Sequence, residues 1–295
     1  MSQLALKYYP YRALGALAPR VAPGLGHRLA SQAGMVAYYL YPRGAAALRE
    51  NLHNVLGDRG TQERVKSTAL EVFRNLGKNY YDLFHNDGVP NDQAMASITV
   101  KGLQHLRDAL ERGNGVVVAS CHFGVFDGLW ALAPALDLRI TAPAEHLQPE
   151  KLYEYICRLR ARDWINFVPI DGPLLSLFRA LRDGEIVAVA ADRDITHSGI
   201  LVDFFEARAR LPDGHVQLAL RSGADLLTCF ALRQPDDTAL LEVEPSLRLE
   251  RTGDLERDVK SNVPKVVARM EHWISRYPEQ WLMLFPIWRD AENVS

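Results

Sequence analysis

Val116-Val-Val-Ala119-Ser-Cys-His122-Phe-Gly-Val-Phe-Asp127 opens on an unbroken apolar run of strand length and closes on residues that can move protons. A continuous run, unlike an alternating one, suits a strand covered on both faces by helices. Upstream, Ile98-Thr-Val100 reads as a short strand, Gly102 to Arg112 as a helix and Gly113-Asn-Gly115 as a turn. Downstream, Phe126 to Leu136 is predicted helical and Arg139 to Pro143 a strand. Gln148 to Arg162 follows as a helix with a basic face, then Asn166 to Pro169 as a strand and Pro173 to Arg182 as a helix. Ile186 to Ala191 is a second buried-strand run. Leu211 to Arg221 is predicted as a helix ending at Gly223, Leu226 to Leu232 and Ala239 to Val243 as strands, and Leu255 to Tyr277 as a long helix. Alternating strands and helices predict an α/β fold with a central, mostly parallel sheet flanked by helices.

The N-terminal part is different. Residues 1–50 read as two or three short helices broken at Pro10, Pro19, Pro23 and Pro42, and residues 61–86 as one amphipathic helix. Thr61 with Arg64 makes no capping box, so the start of that helix stays open. Up to residue 49 the chain carries Lys7, Arg12, Arg20, Arg28, Arg43 and Arg49 and no Asp or Glu. It also holds Tyr8, Tyr9, Tyr11, Tyr38, Tyr39 and Tyr41. Two readings fit: a helical extension that touches an anionic membrane surface, or helices packed on the fold with a basic outer face. One domain over 1–295 is expected, with a helical part (1–95), an α/β catalytic core (96–250) and a C-terminal helix and tail (251–295).

Bulk properties narrow the classes. Hydrophobic residues make up 48% of the 295 and charged ones 24%, enough for a full core. The net charge of −2 gives no reason to expect nucleic acid as a partner. Three scattered cysteines, Cys121, Cys157 and Cys229, fit neither a disulfide scaffold nor a zinc site and suit a reducing cytoplasm. No signal peptide and no transmembrane run is read.

His122 follows directly on a strand, and in open α/β sheets ligands bind at the carboxyl ends of strands. Phe123 and Gly124 let the chain turn, and Asp127 falls in the next helical turn, from which its carboxylate can reach back to the imidazole. Such a pair suits activation of a hydroxyl, the carboxylate fixing the tautomer and the helix start helping to bind an oxyanion or phosphate. The alternative reading is a capping aspartate beside a hydrogen-bonded histidine. Asp192 ends the Ile186–Ala191 run and is a candidate second carboxylate near the imidazole; Arg193 and Asp194 either join the site or pair together. Cys121 as nucleophile is disfavoured, because adjacent residues at a strand end point to opposite sides. A metal held by His122, Asp127 and Asp192 lacks a compact ligand cluster, and none is expected.

Ser120-Cys-His-Phe-Gly-Val-Phe-Asp127, Ala191-Asp-Arg-Asp194, Val202-Asp-Phe-Phe205, Ala209-Arg-Leu-Pro212 and Tyr277-Pro-Glu-Gln-Trp281 follow in an order and spacing that resembles the lysophospholipid acyltransferase superfamily. The nearest branch is that of bacterial late lipid A acyltransferases and phosphatidylinositol mannoside acyltransferases, over roughly residues 1–290. The resemblance implies transfer of an acyl chain from acyl-CoA or acyl carrier protein to a hydroxyl of a lipid or glycolipid, without a further cofactor. It implies His122 as general base oriented by the Asp127 carboxylate, with substrate contacts at Glu145 and Arg160. Asp192 as a further catalytic carboxylate and Arg193 as a substrate contact are expected from their strand-end position, and Phe123 and Gly124 are expected substrate contacts next to His122. Asp127 stands where many lipid A enzymes carry Glu, and the second and third segments look more like the mannoside branch. The expected acceptor is therefore a glycolipid or phospholipid, with lipid A as the alternative, and the expected place is the cytoplasmic face of the cell membrane. Hydrolysis with water and non-catalytic lipid binding are the competing functions. Arg158, Arg160 and Arg162 read either as a solvated helix face or as phosphate ligands. Phe204-Phe205 and Leu211-Pro212 read either as acyl-channel lining or as packing, and Trp281, Phe285 and Trp288 as core or interfacial aromatics.

Overall fold

A computed structural model describes residues 8–288 except 88, 136, 161–163 and 173, with only the backbone at 91, 92, 94, 128, 129, 131, 132 and 135. Lys7, Leu136, Arg162 and Pro173 therefore lie outside the described residues. Helices α1 (Tyr8–Leu17), α2 (Pro23–Leu40), α3 (Pro42–Leu56) and α4 (Gln62–His85) come first. Pro23 and Pro42 do not merely interrupt; each starts a helix, at a position where the missing N–H has no partner to lose. Thr61 sets the start of α4, its hydroxyl accepting the Arg64 backbone N–H at 3.3 Å. Helices α2 and α4 pack at glycine distance: a Cβ on Gly77 would stand 2.2 Å from the Ala30 carbonyl oxygen.

The chain continues through α5 (Asn91–Ala96), β1 (Ile98–Lys101), α6 (Leu103–Glu111), β2 (Val116–Ser120), α7 (Leu132–Ala135), β3 (Ile140–Ala144), α8 (Glu150–Arg160), β4 (Ile165–Pro169) and α9 (Leu175–Arg182). It ends through β5 (Ile186–Ala190), β6 (Ile200–Phe204), β7 (Ala207–Leu211), α10 (Gly214–Ser222), β8 (Asp225–Arg233), β9 (Ala239–Val243) and α11 (Leu255–Arg276). Among the described residues, seven strands form one sheet in the order β1-β9-β8-β2-β5-β3-β4. Every pair in it is parallel except β8 with β9. This is the mostly parallel, helix-flanked sheet that the alternation predicts. β2 shows why its sequence is apolar throughout. Val117 and Ala119 enter the core under α9, α10 and α11, while Val116 and Val118 enter the opposite core under α6. Each of the three valines contributes about 1.5 to 3 kcal/mol on burial, and the Ala119 methyl less.

Several elements depart from the sequence prediction. Pro10 lies inside α1, and where one helix is predicted from Phe126 a 3₁₀ turn, Phe126–Ala131, precedes the short α7. Residues 200–211 form an antiparallel hairpin, β6–β7, so Leu211 is a strand residue and the helix starts at Gly214. Tight hairpins favour Gly or Asn at positive φ. This one places Phe205 there, at φ 48°, so the sequence carries no turn signal.

His215, in the first turn of α10, is fully buried, and neither ring nitrogen has a hydrogen-bond partner among the described residues. Burial pushes its imidazole down to about 4. The unfolded chain takes up this proton near pH 6.5, well before the folded chain does. Stability is therefore lost as pH falls from about 6.5 to 4, by about 3 kcal/mol in all. His215→Leu is expected to raise the melting temperature at neutral pH and to flatten its decline in that window, because an unpaired buried polar group costs about 1 to 3 kcal/mol. Thermal unfolding from pH 4 to 8 checks both effects.

Candidate functional site

β2 and β5 pair in parallel, with Val116 opposite Ile186 and Ser120 opposite Ala190. The Ala191 N–H extends the pairing to the Ser120 carbonyl at 2.8 Å. The residues that leave the two strands therefore stay neighbours, and His122 meets Asp192. Asp192 Oδ1 accepts from His122 Nδ1 at 2.8 Å. Its Oδ2 accepts the His122 backbone N–H at 2.9 Å and Trp281 Nε1–H at 3.0 Å. The carboxylate is wholly buried, and these three donors are what make a buried charge tolerable. Burial works against its ionised form, but the His122 charge and these hydrogen bonds hold it below the usual carboxylate range. A carboxylate only accepts, so Nδ1 carries the proton and Nε2 presents a lone pair.

About a third of the His122 side chain is accessible, at 33%. Burial pulls the imidazole down, and the charges of Arg193 and Arg160 act the same way. The charge and hydrogen bond of Asp192 outweigh them and hold it above the ordinary histidine value. The ring opens onto a cavity of about 350 Å³ walled by Ser120, Phe126, Trp130, Cys157 and Arg160. Cys121 is buried, and burial followed by the Asp192 charge pushes its thiol well above the cysteine range, which suits no nucleophile.

Asp127 does not reach the imidazole as the sequence predicts. Its Oδ1 accepts Trp130 Nε1–H at 3.0 Å and its Oδ2 accepts from Arg160 Nη2 at 3.1 Å. Arg160 Nε also lies 2.8 Å from Oδ1, out of hydrogen-bond alignment. The short 3₁₀ turn of Phe126–Ala131 carries this carboxylate to Arg160, a residue of the cavity wall. His122, Asp127 and Asp192 thus do not converge on one point. Arg158, by contrast, pairs with Asp87 on the exposed face at 3.2 Å.

Glu145 and Arg193 meet at the cavity mouth, Nη1 donating to Oε2 at 2.6 Å, and the guanidinium lies 3.6 Å from the Phe285 ring centroid. Phe123 and Gly124 are not cavity residues. Phe123 is fully buried against Phe230 and Trp273. Gly124, at φ 55°, has no room for a side chain, since a Cβ would lie 1.9 Å from the Ala231 carbonyl oxygen. Both hold the His122 loop in place through the C-terminal segment. Gly124 N–H donates to Gln280 O and Leu282 N–H to His122 O, each at 2.8 Å. α4 adds a clamp, Asn79 Nδ2 donating to Gly124 O at 2.6 Å. Phe204 and Leu211 are fully buried, and Phe204 packs on Trp281 and Trp288, behind the His122–Asp192 pair and outside the cavity. Trp281 is buried, as a core aromatic should be, but its hydrogen bond to Asp192 is a site contact that the sequence analysis did not foresee. Its only signal was its place at the end of Tyr277-Pro-Glu-Gln-Trp281.

A family model described as "Bacterial lipid A biosynthesis acyltransferase" matches residues 7–290. The chain is 29% identical over 286 residues to a phosphatidylinositol mannoside acyltransferase of Mycobacterium tuberculosis (strain H37Rv), covering 94% of this chain and 87% of that protein. It is 28% identical over 271 residues to the protein of the same description from Mycolicibacterium smegmatis, covering 90% and 83%. Against a lipid A biosynthesis palmitoleoyltransferase of Escherichia coli (strain K12) the identity is 26% over 261 residues, covering 87% and 82%.

Proposed function

The chain belongs to the bacterial lipid A biosynthesis acyltransferase family and is an acyltransferase, and from that premise we propose that His122 is the general base of an O-acyl transfer to a membrane glycolipid. The observation that carries this reading is the buried Asp192 that grips Nδ1 and leaves Nε2 free toward the cavity. Nε2 takes the proton of an acceptor hydroxyl as its oxygen attacks the carbonyl of an acyl thioester, from CoA or a carrier protein. The new C–O bond forms, the C–S bond breaks, and the imidazolium returns the proton to the departing thiolate. Asp192 stabilises the imidazolium meanwhile. The thioester supplies the activation, so neither cofactor nor metal is needed. Arg160, Arg193 and Glu145 face the cavity as polar contacts for the substrates.

The mannoside relatives favour a phosphatidylinositol mannoside-like acceptor over lipid A. The surface supports lipid access. Leu14, Leu17, Leu25, Leu29, Tyr39 and Leu40 are exposed, and Arg12, Arg20, Arg28 and Arg43 are exposed near them in sequence. An apolar groove of about 550 Å³ between α1, α2 and α4 reaches Tyr80, which also lines the catalytic cavity. No described helix is long and apolar enough to cross a membrane. We place the protein peripherally on the cytoplasmic face, with lipid chains entering by this groove.

Thioester release measured with and without acceptor lipid tests the reading. Release is expected to run many times faster with lipid present and to yield acylated lipid by mass spectrometry. Equal release without lipid would make water the acceptor and overturn the transferase reading.

A further inference from the structure

Past Arg193 the catalytic cavity meets a second recess of about 200 Å³, formed by the loop after β5, the end of the β6–β7 hairpin and residues 285–287. Arg193 and Ile195 line both spaces, so the recess adjoins the site directly. The Arg193 charge also reaches His122, whose imidazole it pulls down.

Two guanidinium groups face the recess. Arg193 is neutralised by Glu145 and lies on Phe285. Arg210, half-buried on β7, is not neutralised. Its Nη1 donates to the Gly199 carbonyl at 2.7 Å, and no carboxylate pairs with it among the described residues. The acid in the recess, Asp194, is already engaged: Oδ2 accepts the Gly199 N–H at 2.8 Å and Oδ1 the Thr196 hydroxyl at 3.3 Å. A half-buried guanidinium with no paired carboxylate keeps its charge and its remaining N–H donors available to an anion. Guanidinium donors match phosphate oxygens in both spacing and charge.

We infer that this recess is a phosphate-ester subsite, in which Arg210 with Arg193 holds a phosphate carried by one of the two substrates. The inference rests on the acyl-transfer reading above. Two sources share the chemistry: the pantetheine phosphate of a thioester donor, and the headgroup phosphate of a lipid acceptor.

Calorimetry on the full chain separates them without needing turnover. The donor arm compares 4′-phosphopantetheine with pantetheine, and the acceptor arm compares glycerophosphate with glycerol. In one arm the phosphate-bearing probe is expected to bind about ten- to a hundredfold more tightly. Arg210→Gln erases that preference, and Arg208→Gln, on the same strand face two residues earlier but outside the recess, leaves it intact. Arg210→Lys, which keeps the charge but not the planar fork, retains part of the preference and carries the test if the glutamine variant does not fold. Lack of preference in both arms, or a preference that survives Arg210→Gln, overturns the inference. Failure of acyl transfer with phosphate binding intact would instead count against the catalytic reading.

Discussion

His122→Gln is expected to lower the turnover of acyl transfer by about 10²- to 10⁴-fold, the usual contribution of a positioned general base. Glutamine is the informative replacement because Asp192 Oδ1 is wholly buried and takes a hydrogen bond from the imidazole. Alanine would strand that charge and mix a stability loss into the kinetic one. An amide keeps a donor near Oδ1 while offering no group able to accept and return the proton at Nε2. Donor affinity should stay within a factor of a few, since the imidazole occupies one corner of a cavity walled mainly by other side chains. Pre-steady-state kinetics separates binding from chemistry. A variant that turns over within a few-fold of the parent removes His122 from the mechanism.

Asp192→Asn is expected to cost on the order of 10³- to 10⁴-fold in turnover with little change in the fold. The hydrogen bonds define which way the new amide points. The Oδ2 position receives two N–H donors, from His122 and Trp281, so the amide oxygen belongs there. The amide NH₂ then faces Nδ1, which must accept. The imidazole proton moves to Nε2, and the lone pair that serves as base is lost. A second consequence appears in the pH profile. In the parent, Asp192 holds the imidazole above its ordinary value, so activity rises with pH through that raised value as the base becomes neutral. Removing the carboxylate charge shifts this limb to lower pH. An unshifted limb would mean that Asp192 does not act through His122.

The long elements were legible because their signals are local. The apolar run of β2 and the periodicity of α4 and α11 sit in consecutive residues, and each formed close to where it was predicted. The β6–β7 hairpin was not legible, because Phe205 occupies a turn position normally marked by Gly or Asn. The site divides in the same way. His122 could be picked out by its place at a strand end. Asp127 was favoured as its partner because it is near in sequence, yet the 3₁₀ turn at Phe126 carries its carboxylate to Arg160.

By itself, then, the sequence determined the layered α/β core, the strand that presents His122 and the family to which the chain belongs. Tertiary structure alone decided which carboxylate grips the imidazole, that Phe123 and Gly124 are packing residues, and that Trp281 supports the pair. The physical reason is register. Parallel pairing of β2 with β5 brings positions 122 and 192 together, and the returning C-terminal segment brings Trp281 to Asp192. Those contacts arise from chain segments far apart: strand-end position makes Asp192 a candidate neighbour of His122, but no local spacing records which carboxylate makes the contact.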